Sequence, residues 1–245
     1  MLTISGIRAI LLDIEGTITP VTFVHEVLFP YARAHVGDYL ALHFDSAECL
    51  ADFSQLREEH ARDVQAGQDL PALLDQPRDK AIDSFVSYIS WLMDQDRKTA
   101  GLKSLQGRIW EQGYADGSLT APLFPDVLPA IEKVRRAGLT IQIFSSGSVF
   151  AQRLLFAHTS AGNVTNLIDG YFDTATGPKT ARASFRQIAS ILGVAPAEVL
   201  FISDVAAELD AAAATGMQTL LCLRPGNQLQ PAGRHKIIHS FAELG

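Results

Sequence analysis

The chain has 245 residues and a mass of 26.6 kDa, and 47% of it is apolar, so it can bury a sizeable core and is not a disordered polymer. Charged residues make up 19%, with 27 acidic against 20 basic and a net charge of -7, which leaves no basic stripe for nucleic acid. No apolar run approaches the roughly 18–20 residues of a membrane span, and Met1-Leu2-Thr3-Ile4-Ser5-Gly6 leads to Asp13 without a basic n-region or cleavage site, so the expectation is a cytoplasmic protein that touches neither membrane nor nucleic acid.

The first element is Ile7-Arg8-Ala9-Ile10-Leu11-Leu12, a short apolar run ended by Asp13 and Gly16, which predicts a buried strand entering a turn. Residues 21–120 then show helical periods and no strand. Val24, Val27, Leu28 and Tyr31 share one face, Ile82, Phe85, Val86 and Ile89 another, and Leu102, Leu105 and Ile109 a third. Cys49 in this stretch and Cys222 later lie in apolar contexts without a C-x-x-C pair, and both read as core residues. A helical period on Val127, Leu128, Ile131 and Val134 precedes the run Leu139 to Phe144, which ends in Ser145-Ser146-Gly147-Ser148. Phe185, Ile188, Ala189 and Leu192 mark a helix before Val199 to Ser203, which ends in Asp204. The alanine-rich stretch from Ala206 to Ala214 precedes Thr219 to Leu223, which ends in Arg224-Pro225-Gly226. This alternation predicts βαβ units and a doubly wound parallel α/β fold over residues 1–20 and 121–245, with 21–120 as a helical insertion after the first strand. In such sheets ligands bind beyond the carboxyl ends of the strands.

Those strand ends carry the polar residues. Asp13 and Glu15 leave the first strand two residues apart, so both carboxylates can reach one reaction centre while Ile14 turns into the core; the plain alternative is a turn with one exposed acid. A carboxylate beside a divalent cation is a nucleophile toward phosphorus, and a second can protonate the leaving oxygen and then activate water. Ser145 with Gly147 beyond it can hold phosphate oxygens through its hydroxyl and free amides, or can cap a helix. Lys179 follows Gly177-Pro178, where a fixed ammonium can neutralise phosphate, or it is a solvated side chain at a helix start. Asp204, with Glu208 one helical turn on, suits a hard cation held by oxygen ligands, or caps a helix. All four signals fall at strand-to-helix junctions in an order that places them on one edge of one sheet.

The series Asp13-x-Glu15-Gly16-Thr17, Ser145, Lys179 and Asp204 resembles the four motifs of the haloacid dehalogenase superfamily, with Glu15 where most phosphatases of that superfamily have Asp. Phe23-Val24, Leu28-Phe29-Pro30-Tyr31-Ala32, Asp96-Arg97-Lys98, Leu102-Lys103, Leu105-Gln106-Gly107, Trp110, Ser145 to Ser148 and Arg224-Pro225-Gly226-Asn227 extend the likeness over nearly the whole chain. Together they resemble the acireductone synthase family, the bifunctional enolase-phosphatases of methionine salvage.

The resemblance implies a haloacid dehalogenase-like Rossmannoid core with an inserted helical cap. It implies Mg²⁺ held by Asp13, the main-chain carbonyl of Glu15 and Asp204, with Glu208 behind them. By the same resemblance Asp13 is the nucleophile, Glu15 the general acid and base, and Lys179 a catalytic and phosphate-binding group beside Ser145 and Ser146. The implied substrate is a small phosphorylated metabolite, 2,3-diketo-5-methylthiopentyl-1-phosphate, and the expected enzyme is a monomer. Arg97, Lys98 and Lys103 are candidates for contacting the diketone. The alternative is a Mg²⁺-dependent phosphomonoesterase of another metabolite. A hydrolytic dehalogenase has little use for Glu15, a non-catalytic module is at odds with the intact acids, and no G-x-G-x-x-G follows the first strand for a nicotinamide cofactor.

Overall fold

The computed structural model describes residues 5–244. The chain divides into two compact units, Met1–Val24 with Thr120–Gly245, and His25–Leu119; the second unit thus begins four residues later than the expected insertion.

The first unit is built on a six-stranded sheet: β1 (Ala9–Leu12), β2 (Thr140–Phe144), β3 (Gly170–Phe172), β4 (Val199–Ser203), β5 (Gln218–Cys222) and β6 (Lys236–Ile238). Every pairing is parallel and the order is β3-β2-β1-β4-β5-β6. β1 is fully buried and pairs on both sides, as a run of four aliphatic residues requires. Alternate residues serve opposite faces. Ala9 and Leu11 join Phe144, Phe185, Phe201 and Leu209, whereas Ile10 and Leu12 meet Ile131 and Val134 of α5 (Val127–Arg136) together with Phe241. The remaining helices of this unit are α6 (Val149–Ala157), α7 (Arg182–Leu192) and α8 (Ala206–Ala213). Gly193, at φ +64, ends α7 in the left-handed conformation open to glycine.

The chain steps outward from β1 to β2 and β3 and then returns to lay β4 against the other side of β1. That reversal opens a crevice at the carboxyl ends of β1 and β4. Register sets what faces it. Leu12 pairs with Ile143 and with Ile202, so the residues just beyond, Asp13, Ser145 and Asp204, leave the sheet side by side.

The second unit holds α1 (Phe29–His43), entered through a π-helical turn over Phe23–Leu28, then α2 (Ala47–Gln65), α3 (Arg78–Asp94) and α4 (Ala100–Ala115). Its core stacks Phe53 on Phe85 with ring centroids 4.1 Å apart, beside Leu40, Leu56 and Leu105. Charges are buried here too. Arg108 reaches Asp52 at 2.8 Å, and Arg97 reaches Asp63 at 3.1 Å and also Glu59. Cys49 and Cys222 are both buried free thiols. No helix among the described residues is long and apolar enough to cross a membrane.

Candidate active site

The loop after β1 is a tight hydrogen-bonded turn. The amides of Thr17, Ile18 and Thr19 all donate to the carbonyl of Ile14, and the Gly16 amide donates to Thr19 at 2.8 Å. Ile14 is buried, so Asp13 and Glu15 on either side of it point away from the core. Gly16 sits at φ +68, a conformation open to glycine, and a side chain there would also lack room, because a Cβ would collide with Asp204 Oδ2 and stand 2.9 Å from Asn227 Oδ1.

Lys179 is 8% exposed and is not a solvated side chain. Its ammonium donates to Asp13 Oδ1 at 2.5 Å and to Glu208 Oε2 at 2.7 Å, joining the β1 loop to α8. Burial by itself would lower the Lys179 pKa, but the two carboxylates outweigh it and hold the ammonium above its ordinary range. Glu208 also accepts from the Ser203 hydroxyl at 3.0 Å, and Ser203 Oγ accepts from the Val205 amide. Val205, not Asp204, stands at the start of α8, so Asp204 is free of a capping role. Burial, Asp13 and Glu208 push its carboxyl up to about 8 against the partial relief of Lys179. Glu208 is raised as well, by burial first and then by Asp13. The buried Asp13 and the half-buried Asp204 and Glu208 thus surround the buried ammonium of Lys179. Among the described residues no three Asp, Glu, His or Cys side chains converge as a metal cage.

Beyond β2, Ser145 is 3% exposed, and its hydroxyl accepts from the Gly147 amide at 3.2 Å, curling the loop over itself. Ser148, not Ser145, caps α6 by accepting from the Ala151 amide. Gln152 braces the loop by donating to the Gly147 carbonyl at 2.8 Å. Ser145, Gly147 and Lys179 therefore belong to the same sheet edge as Asp13 and Asp204, while Ser146 lies half-buried between them.

Three supports escaped the sequence reading. Asn227 donates to the carbonyls of Gly16 at 2.9 Å and Cys222 at 3.3 Å. Arg224 donates to the Thr17 carbonyl at 3.2 Å and binds both oxygens of Asp126, at 2.9 and 2.8 Å. Gln230 donates to the Asp204 carbonyl and accepts from the Ala206 amide. The only signal for them was the run Arg224-Pro225-Gly226-Asn227 directly after an apolar strand, at the same sheet edge as the acids. In the helical unit, Arg97 is committed to Asp63 and Glu59, and Lys98 faces Asp96 at 3.7 Å.

Comparison with known proteins gives the chain relatives over nearly its whole length. A haloacid dehalogenase-like hydrolase family model matches residues 7–216. Among curated relatives, the enolase-phosphatase E1 of Synechococcus elongatus is 55% identical over 239 residues, covering 98% of each chain. That of Danio rerio is 39% identical over 245 residues, covering 97% of this chain and 94% of its own. Among solved structures, the UTR4 protein of Saccharomyces cerevisiae superposes with a TM-score of 0.75 at 35% identity, covering 97% of this chain and all of that one. CbbY from Rhodobacter sphaeroides, at 17% identity and a TM-score of 0.61, shares the fold over 98% of this chain and 96% of its own.

Proposed function

The chain belongs to the haloacid dehalogenase-like hydrolases and, within them, to the enolase-phosphatase E1 family, and from that premise we propose that it enolises and dephosphorylates 2,3-diketo-5-methylthiopentyl-1-phosphate to the acireductone and phosphate of methionine salvage. The observation that carries this reading is the buried Lys179 ammonium bridging Asp13 and Glu208 at the switch point of the sheet, with Asp204 left uncompensated beside them.

That donor set fits a hard divalent cation. The site holds more carboxylate than cationic charge, its donors are oxygens, and the absence of a side chain at Gly16 lets the Asp204 carboxylate lie close against the β1 loop. Asp13, Asp204 and the Glu15 carbonyl would hold Mg²⁺. When bound it would neutralise charge between nucleophile and phosphoryl group and polarise the diketone for loss of its C1 proton.

The chain's own groups then account for phosphoryl transfer. An Asp13 carboxylate oxygen attacks phosphorus; the new O–P bond forms as the ester P–O bond breaks, giving an aspartyl-phosphate. Glu15 gives its proton to the departing oxygen. As a carboxylate it then takes a proton from the water that attacks phosphorus, and phosphate leaves with Asp13 restored. Lys179 has three N–H donors, two of them directed at Asp13 and Glu208, so the third is available to a phosphoryl oxygen. Ser145, Ser146 and the amides around Gly147 complete the phosphate cradle. The substrate is thus a small phosphorylated metabolite, and the working species is proposed to be a cytoplasmic monomer.

Asp13→Asn tests the proposal, because the two reactions make different demands on Asp13. An amide cannot form the acyl phosphate, yet its carbonyl oxygen remains a weak ligand. The metal-loaded variant, its occupancy measured separately, is expected to release no phosphate while enol-phosphate accumulates by ultraviolet absorbance and phosphorus NMR. Wild-type enzyme that frees phosphate without ever forming an enol would leave a plain phosphomonoesterase.

A further inference from the structure

The segment between β5 and β6 grips both of the loops that carry the acids. Asn227 Nδ2 donates to the Gly16 carbonyl at 2.9 Å, and three residues on Gln230 donates to the Asp204 carbonyl and accepts from the Ala206 amide at 2.8 Å. The grip on Gly16 falls where the backbone is least able to fix itself. Gly16 has φ +68 and the rotational freedom of a residue without a Cβ, and the two peptide planes that meet there carry the carbonyls of Glu15 and Gly16. The Gly16 amide, donating to the Thr19 carbonyl at 2.8 Å, pins the first plane; Asn227 pins the second.

The other edge of the Asn227 amide is unpaired. Nδ2 donates to the Cys222 carbonyl as well, at 3.3 Å, and these two bonds turn Oδ1 the other way. That oxygen is buried and has no hydrogen-bond partner among the described residues. It lies 2.9 Å from the point where a Cβ on Gly16 would stand, and Asp204 Oδ2 lies closer still to the same point. Two acceptors thus flank one point over Gly16, and a buried acceptor without a donor is unfavourable until one arrives. A hard cation brings donors with it as bound water, and Mg²⁺ keeps several of its waters. Given the metal site proposed above, we infer that Asn227 is a positioning residue of that site and sets its preference for Mg²⁺ over Ca²⁺. Nδ2 holds the Gly16 peptide beside the Glu15 carbonyl, and Oδ1 accepts from water carried by the cation next to Asp204. Mg²⁺ demands a near-ideal octahedron, so play in the β1 loop and a water without its acceptor both weaken it; Ca²⁺ takes a looser shell of oxygens and feels both less.

The test uses the full chain, stripped of metal by chelator and without substrate, and follows its melting temperature as Mg²⁺ or Ca²⁺ is added, which gives the affinity for each ion. Asn227→Ala, or Asn227→Ser should the first not fold, is expected to weaken Mg²⁺ binding by about 10- to 100-fold at unchanged circular dichroism, the usual cost of losing an outer partner of a metal site. Ca²⁺ binding is expected to weaken far less, so the ratio of the two affinities falls. Asp204→Asn is the control and weakens both ions. Equal losses of Mg²⁺ and Ca²⁺ in the Asn227 variant would make it a structural brace and overturn the inference. Unchanged Mg²⁺ affinity in a folded variant overturns it too, while the sensitivity of Mg²⁺ binding to Asp204→Asn leaves the metal site standing. A wild-type chain that takes up no Mg²⁺, or whose Mg²⁺ binding survives Asp204→Asn, overturns the proposed metal site and the role of Asn227 together.

Discussion

Both units bury charge, but they do so to different ends. In the helical unit the buried acids are matched by cations: Asp52 has Arg108, Asp63 has Arg97, and Glu59 has Arg97 and Arg62. At the carboxyl ends of β1 and β4 the Lys179 ammonium bridges Asp13 and Glu208, and Asp204 beside them is pushed up to about 8, by burial first and then by the charges of Asp13 and Glu208. A closed pair holds helices together, and its worth is structural. An open cluster is unfavourable until something positive arrives, which is how a fold keeps affinity in reserve for a cation or for a substrate bound through one.

The widest gap between the two kinds of site is expected at Lys179. Lys179→Met removes the cation that bridges Asp13 and Glu208 and, on the proposed function, a phosphate ligand, so kcat/KM is expected to fall by about 10²–10³, the usual cost of losing one transition-state donor. Because Lys179 is a buried bridge rather than a surface side chain, stability falls with it, by about 3–5 kcal/mol. Mg²⁺ is expected to restore part of that stability, which melting curves with and without chelator will show. A variant with wild-type kcat/KM would mean that the phosphate site lies elsewhere.

Arg108→Met is the matching change in the helical unit. It strands Asp52 and is expected to cost about 3–5 kcal/mol of stability while leaving Mg²⁺ affinity untouched. Burial already raises the Asp52 pKa, with Ser104 and Arg108 opposing it. A carboxyl whose folded pKa exceeds its unfolded value lends most stability below the unfolded pKa and loses it as pH rises through the folded one. The deficit of Arg108→Met should therefore be smallest near pH 4 and grow toward pH 8. A deficit that shrinks with rising pH would contradict a stranded carboxylate.

Gly16→Ala acts on the open cluster without changing a charge. The added Cβ collides with Asp204 Oδ2, and a non-glycine residue at φ +68 costs about 1–3 kcal/mol. Calorimetric titration with Mg²⁺ is expected to show weakened binding, and unchanged affinity would remove Asp204 from the metal site.

The same contrast explains which parts of the molecule were legible in its sequence. β1, β2, β4 and β5 announced themselves as apolar runs ending in polar residues because they lie inside the sheet. β3 and β6 are three residues each, with half-exposed or exposed positions, and are too short for any period. α2 was unreadable for another reason: its buried face includes Asp52, Glu59 and Asp63, so the closed ion pairs that hold it in place erase the apolar stripe by which a helix is recognised. Asp13 and Asp204 of the open cluster were readable because each interrupts an apolar run at a strand end, and Glu208 because it follows Asp204 by one helical turn. Their supports were not, since Arg224 meets Thr17 and Asn227 meets Gly16 across more than two hundred residues of chain.

Arg224 gives the finest test, because its pair with Asp126 is of the closed kind yet stands beneath the open cluster. Arg224 is sandwiched by the rings of Phe124 and Phe241, 4.5 and 5.0 Å from their centroids, and Asp126 also accepts from the Ser240 hydroxyl at 2.9 Å. Burial alone would raise the Asp126 pKa, but Arg224, the Phe241 amide and Ser240 outweigh it and hold the carboxyl below its ordinary range. Such a group contributes stability above its unfolded pKa, about 3.9, and loses it as pH falls through the lower folded value. Asp126→Asn is therefore expected to lower Tm by a few degrees at pH 7 and to converge on wild type as pH falls through the acid range. Its effect on Mg²⁺ affinity should be slight, because the Thr17 carbonyl keeps Arg224 as a donor and Gly16 keeps Asn227. Should Asp126→Asn weaken Mg²⁺ as much as a change at Asp204 does, the two kinds of buried charge are coupled, and a closed pair can no longer be treated as structural alone.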